Sequence, residues 1–118
     1  MKLYHYAGCS TCRKARSWLT AAGHGATLID LVETPPDAAT LKDLHARSGL
    51  PLQKFFNTSG QSYRDGGFSA RIGSMTDAEK FEALAADGKL VKRPLLDAGN
   101  VVLVGFSEVV WGEALSGS

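Results

Sequence analysis

The sequence lacks long apolar runs, and this limits the kind of protein that it can encode. Met1–Lys2–Leu3 is followed at once by polar and aromatic residues, and the run Val101–Val104 has only the length of a β-strand. A secretory signal needs an apolar stretch of about 7–15 residues, and a membrane-spanning helix needs about 20. We therefore expect a soluble, cytoplasmic protein with no signal peptide and no contact with a membrane.

The sequence also lacks an excess of charge of either sign, since 13 lysines and arginines stand against 12 aspartates and glutamates. Proteins that bind nucleic acid carry a clustered basic surface, so direct binding of nucleic acid is not expected, while a protein partner stays open. The chain has 118 residues, of which 44% are hydrophobic. This size suits one domain with a modest core, so we expect residues 1–118 to form a single domain.

Cysteine is scarce as well, with only Cys9 and Cys12 in the chain. A disulfide across so short a loop removes little entropy from the unfolded chain, so this pair is a poor structural staple. Two cysteines make half of a four-cysteine zinc site, and His5, His24 and His45 lack zinc-finger spacing, so no metal site is expected. A close pair in a reducing compartment is typical of redox chemistry. Two incidental cysteines in a core are the alternative.

The first third of the chain predicts a β-α-β unit. Lys2–Tyr6 is short and rich in β-formers, which favours a first strand. Ser10–Ala22 carries apolar residues at spacings of three and four, as a helix does, and Gly23 follows as its stop. Ala26–Val32 is a mostly apolar run of strand length, which is typical of a central parallel strand.

The middle of the chain, about residues 34–88, predicts a helical insertion. A first helix is opened by Thr34–Pro35–Pro36–Asp37, with the prolines in its first turn; it is buried through Leu41 and Leu44 and ends at Gly49. A short helix follows from Pro51 with Leu52, Phe55 and Phe56, and then a polar loop over Asn57–Gly67. A last helix starts with a capping box at Thr76 and Glu79 and stops at Gly88.

The last part predicts a hairpin and a closing helix. Leu95–Leu96 and Val101–Val104 read as antiparallel strands around a turn, Ser107 can cap a final helix, and the tail Ser116–Gly117–Ser118 is expected to fray. The order β-α-β and then β-β-α is an α/β, thioredoxin-like plan. Its core would span about residues 1–33 and 89–115, with the insertion as a lobe on top.

The segment Cys9-Ser10-Thr11-Cys12-Arg13 lies where the first strand passes into the first helix. Unpaired N–H groups and the helix dipole favour negative charge at such a point, and the thiolate is the reactive form of cysteine. Cys9 should gain most, while Cys12 lies one turn further in and should be less acidic. We therefore predict that Cys9 attacks a substrate and that Cys12 resolves the mixed disulfide.

Three further residues are candidates to act on this sulfur. His5 could stabilise the thiolate from the adjoining strand, or be an ordinary strand histidine. Arg13 and its basic neighbours could attract an anion, or form a solvated face. Arg93 precedes Pro94, where thioredoxin folds place a cis-proline that faces the active cysteine. In that case Arg93 becomes an anion ligand, and otherwise it is a surface arginine.

Several segments, taken together, resemble the arsenate reductase (ArsC)/Spx family from about Lys2 to Trp111. They read YHYAGCSTCRKARSWL, LVETPPDAATLKDL, FFNTSGQSYRD, LVKRPLLD and VLVGFSE. The resemblance implies a thioredoxin-like core with a helical insertion. It also implies that the cysteine matching Cys9 attacks arsenate and that a histidine matching His5 helps to acidify it. Three arginines of the family hold the oxyanion, and glutathione with glutaredoxin completes the cycle.

The resemblance is incomplete at the oxyanion site. Cys9, His5 and Arg93 match the family, but Asn57 and Gly105 stand where it has its other two arginines. Paired arginines bind such oxyanions well, and one arginine should bind arsenate weakly. Four other residues complete the predicted anion site: Ser10, Thr11, Asn57 and Arg64, the last as a candidate to compensate for the missing arginines.

Two functions follow as expectations. The first is a thiol-disulfide oxidoreductase with arsenate reductase activity, whose substrate is a small oxyanion or a disulfide. It would hold no cofactor and would take electrons from glutathione, glutaredoxin or thioredoxin. The second follows from Cys12, which agrees with the Spx-like branch of the family. It is a transcriptional regulator that binds RNA polymerase and is switched by the Cys9–Cys12 disulfide.

Overall fold

A computed structural model describes residues 1–116, and its elements follow the predicted order. They are β1 (Lys2–His5), α1 (Ser10–Ala21), β2 (Thr27–Asp30), α2 (Ala38–Ser48), α3 (Gln61–Asp65), α4 (Phe68–Arg71), α5 (Asp77–Ala86), β3 (Leu95–Asp97), β4 (Val102–Val104) and α6 (Glu108–Leu115). Short 3₁₀ turns cover Leu52–Phe55, Ile72–Ser74 and Gly88–Leu90. The predicted fraying of the tail concerns mainly residues 117 and 118, which lie outside the described residues.

The strands form one sheet in the order β2-β1-β3-β4. β1 pairs with β2 in parallel, whereas β1 with β3 and β3 with β4 are antiparallel. This confirms the thioredoxin-like plan. The prediction that the second strand is central is wrong, because β3 takes the other side of β1 and leaves β2 at the edge. Its Leu28 is accordingly 45% exposed.

Side chains of β1 and β3 point alternately to the two faces of the sheet, and each face has its own apolar cluster. Tyr4 and Leu95 belong to the cluster that contains the insertion helices, including Leu41, Leu44, Phe81 and Leu84. Leu3 and Leu96 belong to the cluster with α1 and α6, including Ala15, Leu19, Trp111 and Leu115. The insertion therefore covers one face, and α1 with α6 covers the other.

The caps of the insertion helices follow from local sequence. The hydroxyl of Thr76 accepts from the N–H of Glu79 at 3.1 Å, and the carboxylate of Glu79 accepts from the N–H of Thr76 at 2.8 Å, which confirms the capping box. Asp37 caps α2 through the N–H of Thr40 at 2.8 Å. Because Asp37 takes this position, both prolines precede the helix, and their predicted place in its first turn is wrong.

The segment predicted as a loop over 57–67 contains α3, so that prediction is also wrong. Gly60 precedes the helix, and Tyr63 is its apolar anchor. The ring of Tyr63 lies 6.4 Å from that of Phe56 and 5.8 Å from that of Phe68, measured between centroids. One aromatic side chain is enough to dock a short helix that is otherwise polar, and a polar composition hides such an element.

Gly88 does not act as the predicted helix stop, because α5 already ends at Ala86. Its role is close packing. It is buried at the start of a 3₁₀ turn, and a Cβ at this position would overlap the carbonyl oxygen of Leu31. The end of the insertion thus packs directly on the backbone that follows β2.

Candidate active site

The loop between β1 and α1 makes Cys9 the residue that caps α1. Its backbone is extended (φ −93°, ψ 118°), and its N–H donates to the carbonyl of Tyr6 at 3.0 Å. The sulfur accepts a hydrogen bond from the N–H of Cys12 at 3.4 Å. The first helical turn therefore directs an otherwise unpaired amide at this sulfur.

The two thiols differ in acidity. Burial opposes ionisation of Cys9, but the backbone N–H of Cys12, the Cys12 thiol and the Arg93 guanidinium together outweigh it, so that the pKa of Cys9 is lowered. Cys12 is fully buried, and burial raises its pKa to about 12. The partly exposed sulfur is therefore the more acidic of the two, and the buried sulfur is the less acidic.

Arg93 reaches the site from the segment before β3, and its bond to Pro94 is cis. The guanidinium carbon lies 5.2 Å from the centre of the Tyr6 ring, a distance typical of a cation–π contact. One guanidinium N–H donates to the carbonyl of Lys89 at 3.2 Å. These two contacts hold the side chain near Cys9, where its positive charge lowers the pKa of the thiol.

Tyr6 and the carbonyl of Lys89 are site residues that the sequence reasoning missed. A Cβ on Gly8 would lie 2.9 Å from the edge of the Tyr6 ring, so the glycine leaves room for the ring beside the loop. Nothing in the spacing around Cys9 indicates this arrangement, because Arg93 arrives from the far end of the chain.

His5 lies on the face of β1 that α1 covers, and it is 8% exposed. Burial lowers the pKa of its imidazole, Arg16 lowers it further, and Asp30 acts in the opposite direction. Within residues 1–116 the buried Nδ1 has no hydrogen-bond partner. Within the described residues no hydrogen bond joins this imidazole to Cys9, and its predicted role beside the thiolate stays a prediction.

The predicted anion ligands of α1 lie around the sulfur in different ways. Ser10 is the first residue of the helix, and both Ser10 and Thr11 are exposed. Thr11 lines a groove together with Arg93. The guanidinium of Arg13 donates to the carbonyl of Ala7 at 3.0 Å, and this bond ties the helix to the loop that carries Cys9.

The structure does not give the site a second arginine from the insertion. Arg64 donates to the carbonyl of Ser59 at 3.1 Å and to the side chain of Gln61, so its charge is tied to its own segment. The N–H of Asn57 donates to the carbonyl of Leu90 at 2.8 Å. Within the described residues, no hydrogen bond joins Arg64 to Cys9, and its compensating role at the anion site stays a prediction.

Gly105 occupies a turn that a larger residue would strain. Its φ is +74°, a left-handed conformation that favours glycine. Its N–H donates to the carbonyl of Pro94 at 2.8 Å, and its carbonyl accepts from the indole N–H of Trp111 at 3.0 Å. This position, where the family has an arginine, therefore bears no charge and lies beside the cis-proline.

In the same part of the chain, residues 1–116, no group of three or more histidine, cysteine or acidic side chains is placed to hold a metal ion. No helix there is long and apolar enough to cross a membrane.

Known proteins with similar sequences share nearly the whole chain. The ArsC family matches residues 4–114. YusI of Bacillus subtilis, an uncharacterized protein, is 45% identical over 108 residues, which cover 92% of each chain. The regulatory protein MgsR of the same organism is 25% identical and covers 91% of this chain and 83% of its own.

A solved structure gives the same result for the fold. The structure of a possible arsenate reductase from Streptococcus mutans superposes with a TM-score of 0.83, at 40% identity, over 89% of each chain. The family match covers the cysteine loop, the insertion, the cis-proline segment and α6 in one alignment. Together with the thioredoxin-like sheet, this match establishes that the chain belongs to the ArsC family.

Proposed function

We propose that the protein is a thiol-disulfide oxidoreductase in which Cys9 is the nucleophile and Cys12 the resolving thiol. One observation carries this proposal: the pKa of the partly exposed Cys9 is lowered, while that of Cys12, buried beneath it, is raised. Only one of the two sulfurs can meet a substrate, and the other can meet only the first. This is the asymmetry that a two-step disulfide exchange requires.

The reaction balances in two exchanges. The Cys9 thiolate attacks one sulfur of a substrate disulfide, forms a mixed disulfide and releases the other substrate sulfur as a thiolate. Cys12 then loses its proton and attacks the sulfur of Cys9, which releases the second substrate thiol and leaves a Cys9–Cys12 disulfide. Two electrons pass from the protein to the substrate.

A cytoplasmic thiol system is the proposed source of these electrons. A reducing compartment keeps such cysteine pairs as thiols. Glutathione, glutaredoxin or thioredoxin would reopen the Cys9–Cys12 disulfide by the same exchange run in reverse. The site needs no bound cofactor for this chemistry.

Arsenate is proposed to be a poor substrate. Arg93 is the arginine whose charge lowers the pKa of Cys9, while Asn57 and Gly105 are neutral and Arg64 bonds within its own segment. A doubly charged oxyanion is bound best by several paired guanidinium groups. We therefore expect arsenite to form far more slowly than a disulfide is reduced.

The test is a single turnover with the pre-reduced protein and a disulfide substrate. Wild type should release two substrate thiols per chain, Cys9→Ser should release none, and Cys12→Ser should stop at a mixed disulfide visible by mass spectrometry. Arsenate with glutathione and glutaredoxin is the parallel assay. If wild type reduces no disulfide, the proposal is wrong, and faster turnover of arsenate would reverse the substrate preference.

A second candidate is a redox-switched regulator, which the similarity to the regulatory protein MgsR favours. In this reading the Cys9–Cys12 disulfide changes the surface around the start of α1 and with it the affinity for RNA polymerase. Pull-down of RNA polymerase with reduced and oxidised wild type and with Cys12→Ser separates the two candidates. Capture that depends on oxidation in wild type and is lost in Cys12→Ser supports the regulator, while no capture in either state rules it out.

A further inference from the structure

A groove of about 490 Å³ runs from the cysteine site along the outer edge of the sheet. Thr11, Lys92 and Arg93 line the end nearest Cys9, and β4 lines its length. Two exposed apolar side chains lie on its rim, Leu50 with 37% and Val110 with 51% of its surface accessible. The groove is thus basic at one end, apolar beyond it, and continuous with the candidate active site.

The wall formed by β4 has free backbone groups. β4 pairs with β3 on one side only. Along an antiparallel strand the N–H and C=O groups turn to alternate sides. Val101 and Gly105 bond toward the β3 side, through Ala98 and Pro94, so the N–H and C=O groups of Val102 and Val104 face the groove. An extended chain can pair with such an edge.

Gly105 keeps the groove open between these two features. It lines the groove. A Cβ atom placed on Gly105 would lie 3.7 Å from the Cε of Lys92. An arginine here would add charge and bulk where the apolar wall meets the cysteine end. The glycine leaves a continuous path from β4 to Arg93, which is longer than a small oxyanion needs.

We propose that this groove binds an extended, cysteine-bearing segment of a polypeptide disulfide, and that the physiological substrate is therefore a protein rather than an oxyanion. The segment would add a strand to β4, place apolar side chains against Leu50 and Val110, and carry an acidic residue near its cysteine to meet Lys92 and Arg93. This proposal rests on the proposed thiol-disulfide exchange, and the exchange itself proceeds by the two balanced steps given above.

The experiment compares a polypeptide disulfide with a small one in single turnovers of the pre-reduced protein. Insulin is the polypeptide probe and 2-hydroxyethyl disulfide the small one. Val110→Glu places a charge on the groove wall, and Val109→Glu is its matched control, since Val109 is 69% exposed and lies outside the groove. The glutamate that replaces Val110 would stand three residues after the cap Ser107, where glutamate completes a capping box, so α6 should stay folded.

We expect Val110→Glu to slow the reduction of insulin at least fivefold and to change the rate with the small disulfide less than twofold. Leu50→Glu, on the opposite rim, should show the same selective loss, and Val109→Glu should leave both rates near wild type. Equal rates of insulin reduction in all variants would contradict binding of a polypeptide in the groove. Equal losses of rate with insulin and with the small disulfide would contradict it as well. Wild type that reduces only the small disulfide also overturns it, whereas wild type that reduces neither defeats the proposed function as well.

Discussion

The reactivity of Cys9 depends on a few short-range contacts, and single substitutions can remove them. Arg93→Gln takes away the positive charge beside the sulfur, so the pKa of Cys9 should rise toward its usual range. One pKa unit corresponds to about 1.36 kcal/mol, and we expect alkylation by iodoacetamide at neutral pH to slow about three- to tenfold. The pH dependence of the alkylation rate measures the change, because its midpoint reports the pKa of the thiol.

Arg64→Gln is the matched control for this substitution, since Arg64 bonds within its own segment. Its alkylation profile should coincide with that of wild type. An Arg93→Gln profile that also coincides with wild type would show that the guanidinium does not act on the sulfur.

Tyr6 is expected to act on Cys9 through Arg93. Tyr6→Leu removes the ring that lies 5.2 Å from the guanidinium of Arg93. Because Arg93 is then held less firmly near the sulfur, the pKa of Cys9 should rise, but by less than in Arg93→Gln. Tyr6→Phe keeps the ring and should keep the pKa. Because exposed cation–π contacts contribute about 0.5–1 kcal/mol, a shift of less than one unit in the alkylation profile is expected. A shift in the Arg93→Gln background would show that Tyr6 acts by another route.

At the scale of single residues, the sequence predicted what is local. The cysteine at the start of α1 and the apolar position of Cys12 follow from a spacing of three residues. The contact between Tyr6 and Arg93 joins the two ends of the chain, and no local pattern encodes it. Arg64 also shows the limit of local patterns: its charge suits an anion site, but its hydrogen bonds are to its own segment.

Among the elements, α2 and the β3–β4 hairpin are joined by Arg47. Its guanidinium donates to Asp97 at 2.7 Å, to Asp43 at 2.8 Å and to the carbonyl of Gly99 at 2.8 Å. The bond with Arg47 holds the pKa of Asp97 below its usual value. This cluster connects the insertion to the hairpin that follows Arg93, so its protonation state bears on the stability of the fold.

The stability contributed by Asp97 should depend on pH. Because the pKa is lower in the folded state, this stability is present above the unfolded pKa of about 3.9 and is lost as the pH falls through the folded value. Asp97→Asn should lower the free energy of unfolding by about 1–3 kcal/mol at pH 7, and by less at pH 3. Urea unfolding at the two pH values measures this.

Asp43→Asn is the comparison, since the side chain of Asp43 is 64% exposed and exposed ion pairs contribute only about 0–1 kcal/mol. Equal losses from the two substitutions at pH 7 would contradict the assignment of the main interaction to Asp97.

The elements themselves were predicted where the signals are local. The capping box at Thr76 and Glu79 and the cap at Ser107 depend on residues three apart, and both are present. The position of β2 at the sheet edge depends on which side of β1 the distant hairpin takes, and its apolar run alone cannot decide this. The helix α3 was missed because a single aromatic side chain, Tyr63, docks it.

Across the whole molecule, Gly88 is where the insertion returns to the sheet. Gly88→Ala would bring a methyl group onto the carbonyl of Leu31, and neither backbone can easily give way. We expect a loss of about 1–3 kcal/mol in the free energy of unfolding, as for other overpacked sites. Gly73→Ala is the control, because a Cβ there meets nothing within 4 Å. Thermal melting of both variants tests the expectation, and equal melting temperatures would contradict it.

The two faces of the sheet should unfold together if residues 1–118 form a single domain. Trp18 and Trp111 belong to the cluster of α1 and α6, whereas the helices of the insertion pack on the other face. Tryptophan fluorescence therefore reports the face covered by α1 and α6, whereas far-UV circular dichroism reports the helices of both faces. Coincident urea transitions are expected for one cooperative unit, and an earlier loss of helical signal would show that the insertion unfolds on its own.

The burial of Cys12 also bears on how peroxide would oxidise the two thiols. With none of its surface accessible, Cys12 is shielded, and a small oxidant meets Cys9 alone. Under the proposed thiol chemistry, a sulfenic acid formed at Cys9 would condense with the Cys12 sulfur, and this would prevent further oxidation to sulfinic and sulfonic acids. We expect the product to be a disulfide that thiol reductants can reopen, so that Cys9 is recovered as a thiol.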